Sequence, residues 1–359
     1  ALASGGENES IHVITRPWTQ PRPVRPRKKL TVATAGVLGI IFGVALCFFL
    51  EYLDTTVKTK EDAERLLRAP VIGFVPALHE DDYDAEEGET ETPPELMALA
   101  HPRSAVAEAF RSIRTALAFS SVDGDDLRHL LVTSASPSEG KTLVSVNIAQ
   151  TLAQAGKRVL LVDADMRKPR VHKVFGIPSR PGLSNLLANK GAGDINVLAR
   201  PAEGIDGLRV MPAGPLPPNP AELLGSAHMR ELLQEMSDHF DTVIFDTPPA
   251  AHVTDAIVLS QYVHGVVLVV RCFTTQREMA RRSRDLIAQA HGRLLGVVLN
   301  NVDVPRGAYS SYYYRQYYYY YYGEGDHRKK RGRRSKQRRG GDEATPAPAE
   351  AEPEHGRAT

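Results

Sequence analysis

The sequence contains few cysteines: only Cys47 and Cys272 occur among its 359 residues. Cys47 lies in an apolar run and Cys272 ends an apolar, strand-like segment, so the pattern indicates no disulfide framework. This excludes the class of small domains that are held together by disulfides. A reducing compartment is the simpler interpretation.

The chain also lacks a large net charge, which is only +1, but its charges are segregated. Residues 80–91 form an acidic stretch, residues 328–339 are strongly basic, and residues 343–354 are acidic and rich in proline and alanine. Segments of this composition cannot bury enough apolar surface to fold, so we expect them to be disordered. The remaining length fits one α/β domain of about 200 residues.

Charged residues are absent from residues 30–50, a run of 21 residues. As a helix this run would extend roughly 31 Å, which matches the hydrocarbon thickness of a bilayer. We therefore predict a transmembrane helix at residues 30–50. A buried core helix and the core of a signal peptide are the alternatives, and the length of the run disfavours both.

Beyond residue 96, apolar strand-like runs alternate with helical segments. Strands are predicted at residues 130–133, 159–163, 208–211, 242–246, 266–270 and 295–300, and helices at 142–155, 221–224, 229–240 and 276–290. This alternation predicts an α/β fold, a P-loop NTPase-like, mostly parallel sheet with helices on both faces, preceded by the transmembrane helix. A helix at 60–67 and a short strand at 71–75 are predicted before the acidic linker.

A phosphate-binding loop follows the first strand of the 96–308 segment. Residues 135–142 read ASPSEGKT and open a predicted helix, which is the context that a Walker A loop requires. Lys141 would neutralise phosphate charge, the Thr142 hydroxyl would bind Mg²⁺, and backbone amides would bind the phosphates. The loop departs from the general consensus at Ala135, where the first glycine is usual. The predicted nucleotide-binding residues of the loop are Ser136, Ser138, Glu139, Gly140, Lys141 and Thr142.

Carboxylates end two further predicted strands. Asp163 and Asp165 follow one apolar run, and Asp246 ends another. Tyrosine has a reference pKa of about 10, so a nearby carboxylate could take the phenol proton during phosphoryl transfer. Asp163 is the candidate for that base. The alternative is that these aspartates only hold Mg²⁺ through water and cap loops.

Ten of the thirteen tyrosines lie between residues 309 and 322. A phenol is one of the few side chains that can accept a γ-phosphoryl group, so a nucleotide-binding domain followed by this cluster suggests an enzyme that modifies its own tail. The predicted autophosphorylation sites are Tyr309, Tyr312, Tyr313, Tyr314, Tyr317, Tyr318, Tyr319, Tyr320, Tyr321 and Tyr322. A low-complexity tail without a function of its own is the alternative.

These motifs together resemble the bacterial tyrosine kinases of capsule and exopolysaccharide export. The resemblance covers nearly the whole chain: the proline-rich flank and membrane span, the Walker A loop, the paired aspartates followed by Arg167, the DTPP motif at 246–249, the PNPAELL motif at 218–224, and the tyrosine tail. The combination is far more specific than any one motif. Only the basic segment after the tyrosines departs from the family's usual ending.

The resemblance implies a function for particular residues. Lys141, Asp163 and Asp165 would serve catalysis with ATP, and Asn300 would lie near the base of the bound nucleotide. Mg²⁺ would be held by Thr142, Asp163 and Asp246. The family also carries a Glu-x-x-Arg-x-x-Arg helix for ring assembly, matched by Glu108, Arg111 and Arg114. Implied partners are a second copy in a homo-oligomeric ring, the membrane, a tyrosine phosphatase, and polysaccharide export or sugar-nucleotide enzymes.

Two other functions remain open. A ParA/MinD-like ATPase switch would share the sheet and the aspartate motifs, but its signature lysine is replaced by Ser136 and it would have no use for clustered tyrosines. The aromatic and basic tail could instead bind nucleic acid, with bases stacked on the phenol rings. The kinase interpretation expects no nucleic-acid partner.

The predicted location is the bacterial inner membrane with a cytoplasmic kinase domain. Basic residues before the span alone would place the N-terminus in the cytosol, but ATP is cytosolic, so a kinase after one span requires an outside flank. Because the chain begins with Ala1, we expect an earlier segment that fixes this topology.

The predicted parts are a proline-rich extracytoplasmic flank (1–29), the transmembrane helix (30–50), a juxtamembrane segment with an acidic linker (51–95), the kinase domain (96–308), the tyrosine cluster (309–322) and a disordered tail (323–359).

Overall fold

The computed structural model describes residues 28–77, 93–120, 127–189 and 194–302. The chain divides into two compact units, Ala1–Thr55 and Thr56–Thr359. The predictions for the proline-rich flank, the acidic stretch, the tyrosine cluster and the tail fall outside the described residues.

The first unit contributes one long helix, α1, which runs from Lys28 to Leu53. It spans the predicted 30–50 segment, and none of its residues is buried. Its 26 residues correspond to about 39 Å of helix, long enough to cross a bilayer. The structure therefore contains one candidate membrane helix among the described residues, by length and composition.

An eight-stranded sheet forms the centre of the second unit, with strand order β1-β8-β7-β2-β6-β3-β5-β4. All neighbouring strands are parallel except β4, which pairs antiparallel with β5. The predicted mostly parallel sheet is confirmed. The strands are β1 Val71–Pro76, β2 His129–Ser134, β3 Val159–Asp163, β4 Arg200–Pro201, β5 Leu208–Met211, β6 Thr242–Asp246, β7 Gly265–Arg271 and β8 Leu294–Val302.

Helices connect the parallel strands, and a short 3-10 helix, Pro94–Leu96, precedes α3. The described helices after α1 are α2 Lys60–Leu67, α3 Met97–Ala100, α4 Ala105–Ser120, α5 Lys141–Gln154, α6 Val171–Val174, α7 Leu183–Ala188, α8 Ile195–Leu198, α9 Pro220–Leu224, α10 Ala227–His239, α11 Asp255–Ser260 and α12 Arg277–Gln289. The four helices predicted between residues 142 and 290 are all present.

The helices cover both faces of the sheet. On β2, Leu130 and Val132 join a core that includes Phe110 of α4 and Ile148 of α5. Leu131, which points to the opposite face, packs in a second core with residues of α7 and α10. Because successive side chains of a strand alternate between faces, both faces need apolar residues, and the central strands are continuous hydrophobic runs.

The sheet begins before the predicted domain boundary at residue 96. Strand β1 is hydrogen-bonded to β8, and Phe74 lies opposite Leu299. Ala63 and Leu67 of α2 pack with Ala280 of α12 in a third core. The second compact unit accordingly starts at Thr56, because an edge strand and its covering helix precede the acidic stretch that the sequence interpretation took as a linker.

Candidate active site

The phosphate loop joins the end of β2 to the first residue of α5, Lys141. Ser138 and Gly140 have positive φ angles of 62° and 90°. A Cβ at Gly140 would meet the Asn300 side-chain amide, and the positive φ is strained for other residues, so glycine is favoured there. Ala135 is fully buried and its N–H donates to Glu139 Oε2 at 2.8 Å. Its φ is not positive, which explains why the loop tolerates alanine at this position.

Lys141 lies among carboxylates at the start of α5. Its Nζ is 2.9 Å from Asp165 Oδ2 and 3.7 Å from Asp246 Oδ2. Burial favours the neutral amine, but the charges of Asp246 and Asp165 outweigh it, so the pKa of Lys141 is raised. Lys141 therefore stays protonated and is available to neutralise phosphate charge.

Thr142 and Asp246 are joined by a hydrogen bond, and both carry oxygen atoms that could bind a metal ion. The Thr142 hydroxyl donates to Asp246 Oδ2 at 2.7 Å, and the Ser145 hydroxyl donates to Oδ1 at 3.0 Å. Asp246 is fully buried, and burial raises its pKa. A hydroxyl and a carboxylate beside a phosphate loop are the ligand types that Mg²⁺ uses together with nucleotide phosphates and water, so these residues fit the ion.

Asp163 lies next to Asp246, its partner in the register between β3 and β6. It is fully buried, and its carboxylate accepts backbone N–H bonds from Asp165 at 3.2 Å and from Arg170 and Val171 at 3.0 Å. Burial, followed by the charge of Asp246, raises the pKa of Asp163 to about 8. Asp163 thus both organises the loop after β3 and offers a carboxyl group with an unusually high proton affinity.

The Asp165 carboxylate contacts three residues. One of its oxygens contacts Lys141, and the other accepts N–H bonds from Arg167 at 3.3 Å and Lys168 at 2.9 Å. The Arg167 guanidinium forms a bidentate pair with Asp255, at 2.8 and 2.9 Å. The paired-aspartate motif and its arginine therefore fix the loop after β3 against α11.

Thr275, which follows β7, and Asn300 of β8 brace the phosphate loop through Glu139. Glu139 is buried and its Oε1 accepts a 2.6 Å bond from the Thr275 hydroxyl. Burial raises the pKa of Glu139 to about 7. Asn300 Nδ2 donates to the backbone oxygen of Glu139 at 2.8 Å, and its contact with the nucleotide stays a prediction.

The two loop serines are held through their backbone oxygens. Ser136 O accepts the Ser134 hydroxyl at 2.8 Å, and Ser138 O accepts from Arg271 at 3.3 Å. Their side chains make no hydrogen bond within the described part of the chain that the structure records. Both belong to the loop as predicted.

The predicted ring-assembly residues lie on α4. Arg111 pairs with Glu108 at 2.8 Å, and Arg114 donates to Thr151 O of α5 at 3.1 Å. Contacts within the chain thus account for part of their placement. Their role between copies stays a prediction, as does that of the tyrosine cluster, which lies outside the described residues.

Three contributing residues were missed by sequence reasoning: Ser145, Asp255 and Thr275. Ser145 could have been found, because it follows Thr142 by three positions and shares its face of α5. Asp255 and Thr275 contact residues that are 88 and 136 positions away, so no local pattern points to them.

Known proteins resemble this chain in sequence and in fold. The ParA family profile, described as NUBPL iron-transfer P-loop NTPase, matches residues 127–313. Tyrosine-protein kinase YwqD of Bacillus subtilis is 39% identical over 217 residues, which are 60% of this chain and 90% of that protein. The chain belongs to the bacterial tyrosine kinase family. Within the family, putative tyrosine-protein kinase CapB of Staphylococcus aureus is 38% identical over 59% of this chain and 90% of its own length.

The kinase domain of Escherichia coli tyrosine kinase ETK has a similar structure, with a TM-score of 0.62 and 32% identity over 70% of this chain and 97% of that domain. The fold of this member of the bacterial tyrosine kinase family is therefore a P-loop NTPase fold, as predicted. The chain spans 41% of the length of the longer relative from Escherichia coli K12, tyrosine-protein kinase etk.

No group of three or more His, Cys, Asp or Glu residues within the described ranges is arranged as a protein-only metal site.

Proposed function

We propose that this chain is a membrane-anchored, ATP-dependent protein-tyrosine kinase that phosphorylates its own tyrosine cluster. The observation that carries the proposal is the placement of Lys141 2.9 Å from Asp165 and beside the Thr142–Asp246 pair, with Asp163 next to them. A phosphate-binding cation, a metal-binding pair and a candidate base meet at one edge of the sheet. This is the set of groups that phosphoryl transfer needs.

Each group has a distinct task. The N-terminus of α5 and the loop amides would bind the β- and γ-phosphates, and Lys141 would neutralise their charge. Thr142, Asp246 and Asp163 would hold Mg²⁺. The ion, when bound, supplies positive charge that offsets the charge developing on the transferred phosphoryl group.

In the proposed transfer, Asp163 is the proton acceptor. The phenol oxygen attacks the γ-phosphorus of ATP, the new O–P bond forms, the bond to the β–γ bridging oxygen breaks, and ADP leaves. The phenol proton passes to the Asp163 carboxylate. The phenol has a reference pKa of about 10, so it needs a positioned carboxylate to take its proton as it attacks.

The tail would be modified in trans within a homo-oligomeric ring. In this proposal Glu108, Arg111 and Arg114 on α4 contribute to contacts between copies, which would bring one copy's tail to its neighbour's site at high effective concentration. Each phosphate adds a charge of about −1.5 to −2 at pH 7, so heavy modification would loosen the ring by repulsion. The cycle would regulate polysaccharide synthesis or export at the inner membrane, where α1 anchors the chain.

A mixing experiment tests the proposal. One chain carries Lys141→Met with an intact tail, and the other carries phenylalanine at all ten tyrosines between Tyr309 and Tyr322 with an intact site. Each is incubated with Mg-ATP alone and in an equal mixture, and phosphate is assigned to each chain by intact mass. The unmodified chain is incubated in parallel.

Phosphate on the Lys141→Met chain only in the mixture is the expected result, because neither chain alone has both a site and an acceptor tail. Transfer in trans would be contradicted if the chain of natural sequence gained phosphate while the mixture of the two variants gained none. ATP hydrolysis without phosphate on any tyrosine would favour the ParA/MinD-like ATPase switch instead.

A further inference from the structure

A concave site opens at the carboxyl ends of β3 and β5. Its volume is about 600 Å³, within the range of ligand pockets. Lys168, Arg170 and Lys173 line it from the loop and helix after β3. Arg180 and Leu216 line it from the segments before α7 and after β5. We call it the basic pocket.

The basic pocket presents several positive charges and no carboxylate among its lining residues. Arg170 pairs with Glu95 at 2.7 Å. Across residues 28–77, 93–120, 127–189 and 194–302, the structure records no ion pair for the side chains of Lys168, Lys173 or Arg180. Cations that converge in a cleft focus a positive potential, so the pocket favours an anion with more than one charge.

The loop that forms one wall of the basic pocket also donates hydrogen bonds to Asp163. The backbone N–H groups of Arg170 and Val171 donate to Asp163 Oδ2, and that of Lys168 donates to Asp165 Oδ1. The same loop therefore faces the pocket with its side chains and the candidate base with its amides. A ligand held in the pocket would therefore lie against the loop whose backbone amides hold Asp163.

Apolar surface accompanies the charge. Pro169 and Leu216 both lie in the wall, and Leu216 is 57% exposed. A planar ring can pack on such surface while a phosphate group pairs with the guanidinium and ammonium groups. The combination fits an aryl phosphate better than a free inorganic ion.

We propose that the basic pocket binds a phosphotyrosine already formed in the tail of a second copy and thereby holds a neighbouring tyrosine at Asp163. The inference rests on the proposed kinase function. Residues 312–314 and 317–322 are runs of adjacent tyrosine, so a phosphotyrosine in either run has an unmodified neighbour within a few residues. The first phosphate would accelerate the addition of the next ones.

Binding of a synthetic tail peptide tests the pocket without requiring activity. The probe is a fluorescent peptide of residues 309–318, either unmodified or phosphorylated at Tyr313, and its anisotropy is measured with the dephosphorylated full chain in detergent. The test variant is Lys173→Gln with Arg180→Gln, both exposed side chains outside the catalytic set. The control is Lys157→Gln with Arg293→Gln, which removes the same amount of charge. These residues lie just before β3 and β8, at the amino-terminal ends of the strands and away from the pocket.

Phosphorylation of the peptide is expected to tighten binding to the unmodified and control chains by about tenfold, the effect of one or two charge-assisted hydrogen bonds. The test variant should lose that gain. Equal affinity for the two peptides, or an undiminished gain in the test variant, would overturn the proposal. Free phosphotyrosine should displace the phosphopeptide at lower concentration than inorganic phosphate does, and equal potency would mean a simple anion site.

A second readout separates this inference from the proposed function. With limiting Mg-ATP, the chain of natural sequence and the control variant should each give a mixture of unphosphorylated and heavily phosphorylated molecules. The test variant should instead give molecules that gain phosphates one at a time. The same mass distribution in all three chains would overturn the pocket's role in successive transfer. If no chain gains phosphate while the phosphopeptide still binds the pocket, the kinase function fails and the phosphotyrosine site stands.

Discussion

The Thr142 hydroxyl donates a 2.7 Å hydrogen bond to Asp246 Oδ2. This contact joins the first turn of α5 to the end of β6, the strand that lies between β2 and β3. Ser145, one turn further along α5, donates to the other oxygen of the same carboxylate. The two hydroxyls therefore make equivalent bonds, but only Thr142 lies in the position of a Walker A metal ligand.

Thr142→Ala is expected to weaken nucleotide binding in the presence of Mg²⁺ by about tenfold or more, because an oxygen ligand of the ion is lost. Thr142→Ser keeps the hydroxyl and should retain the affinity. Ser145→Ala removes a bond to the same carboxylate and should leave the Mg²⁺ dependence unchanged. Titration with a fluorescent nucleotide, with and without Mg²⁺, measures each case. Equal losses for Thr142→Ala and Ser145→Ala would contradict a specific metal role for Thr142.

Thr275→Val is expected to destabilise the fold by about 1–3 kcal/mol, because buried Glu139 loses the donor that it has at 2.6 Å. The loss also removes a contact that lowers the pKa of Glu139, so that pKa should rise further. Urea unfolding measures the free energy. Thr274→Val, the same change at the exposed neighbouring residue, should have little effect. Similar stability of the two variants would show that the Thr275–Glu139 bond does not brace the loop.

The central strands could be predicted from sequence with accurate bounds. β3, β5 and β6 begin and end where predicted, because short apolar runs that are buried on both faces end abruptly at polar residues. The Walker loop and its aspartates were found for the same reason: each follows such a run.

Sequence reasoning could not supply the contacts between distant segments. Elements of four to six residues, such as α6 and α8, depend on tertiary packing rather than on their own periodicity. The assignment of β1 to the sheet depends on pairing with β8, more than 200 residues later in the chain. The bond from Thr275 to Glu139 likewise appears only once β7 and the phosphate loop are adjacent.

His129 is expected to make the fold sensitive to acid. Burial, then the neighbouring His264, lowers the pKa of His129 to about 4. The unfolded chain binds a proton near the usual pKa of about 6.5, and the folded chain does not until about pH 4, so stability falls as pH drops through this window. Between about pH 7 and pH 5 the loss should be about 2 kcal/mol.

His129→Gln should abolish that part of the pH dependence while keeping a donor for Ser237, whose hydroxyl lies 2.9 Å from His129 Nε2. The free energy of unfolding is measured at both pH values for the two chains. An equal loss of stability on acidification in the two chains would contradict the prediction.

Arg111→Glu is expected to reduce the mass of the oligomer without a large change in stability. The Glu108–Arg111 pair is partly exposed, and such pairs contribute about 0–1 kcal/mol to folding. Arg158→Glu is the matched control, because it reverses another exposed arginine that pairs with Asp241. Light scattering in detergent measures the mass. An unchanged mass for Arg111→Glu would contradict the role of α4 in ring assembly.

The intact mass of the phosphatase-treated full chain after incubation with Mg-ATP, beside Lys141→Met, tests the kinase proposal most directly. A ladder of added phosphates that maps to Tyr309–Tyr322 and is absent from Lys141→Met is the predicted result. ATP hydrolysis by the unmodified chain without any added mass would contradict it.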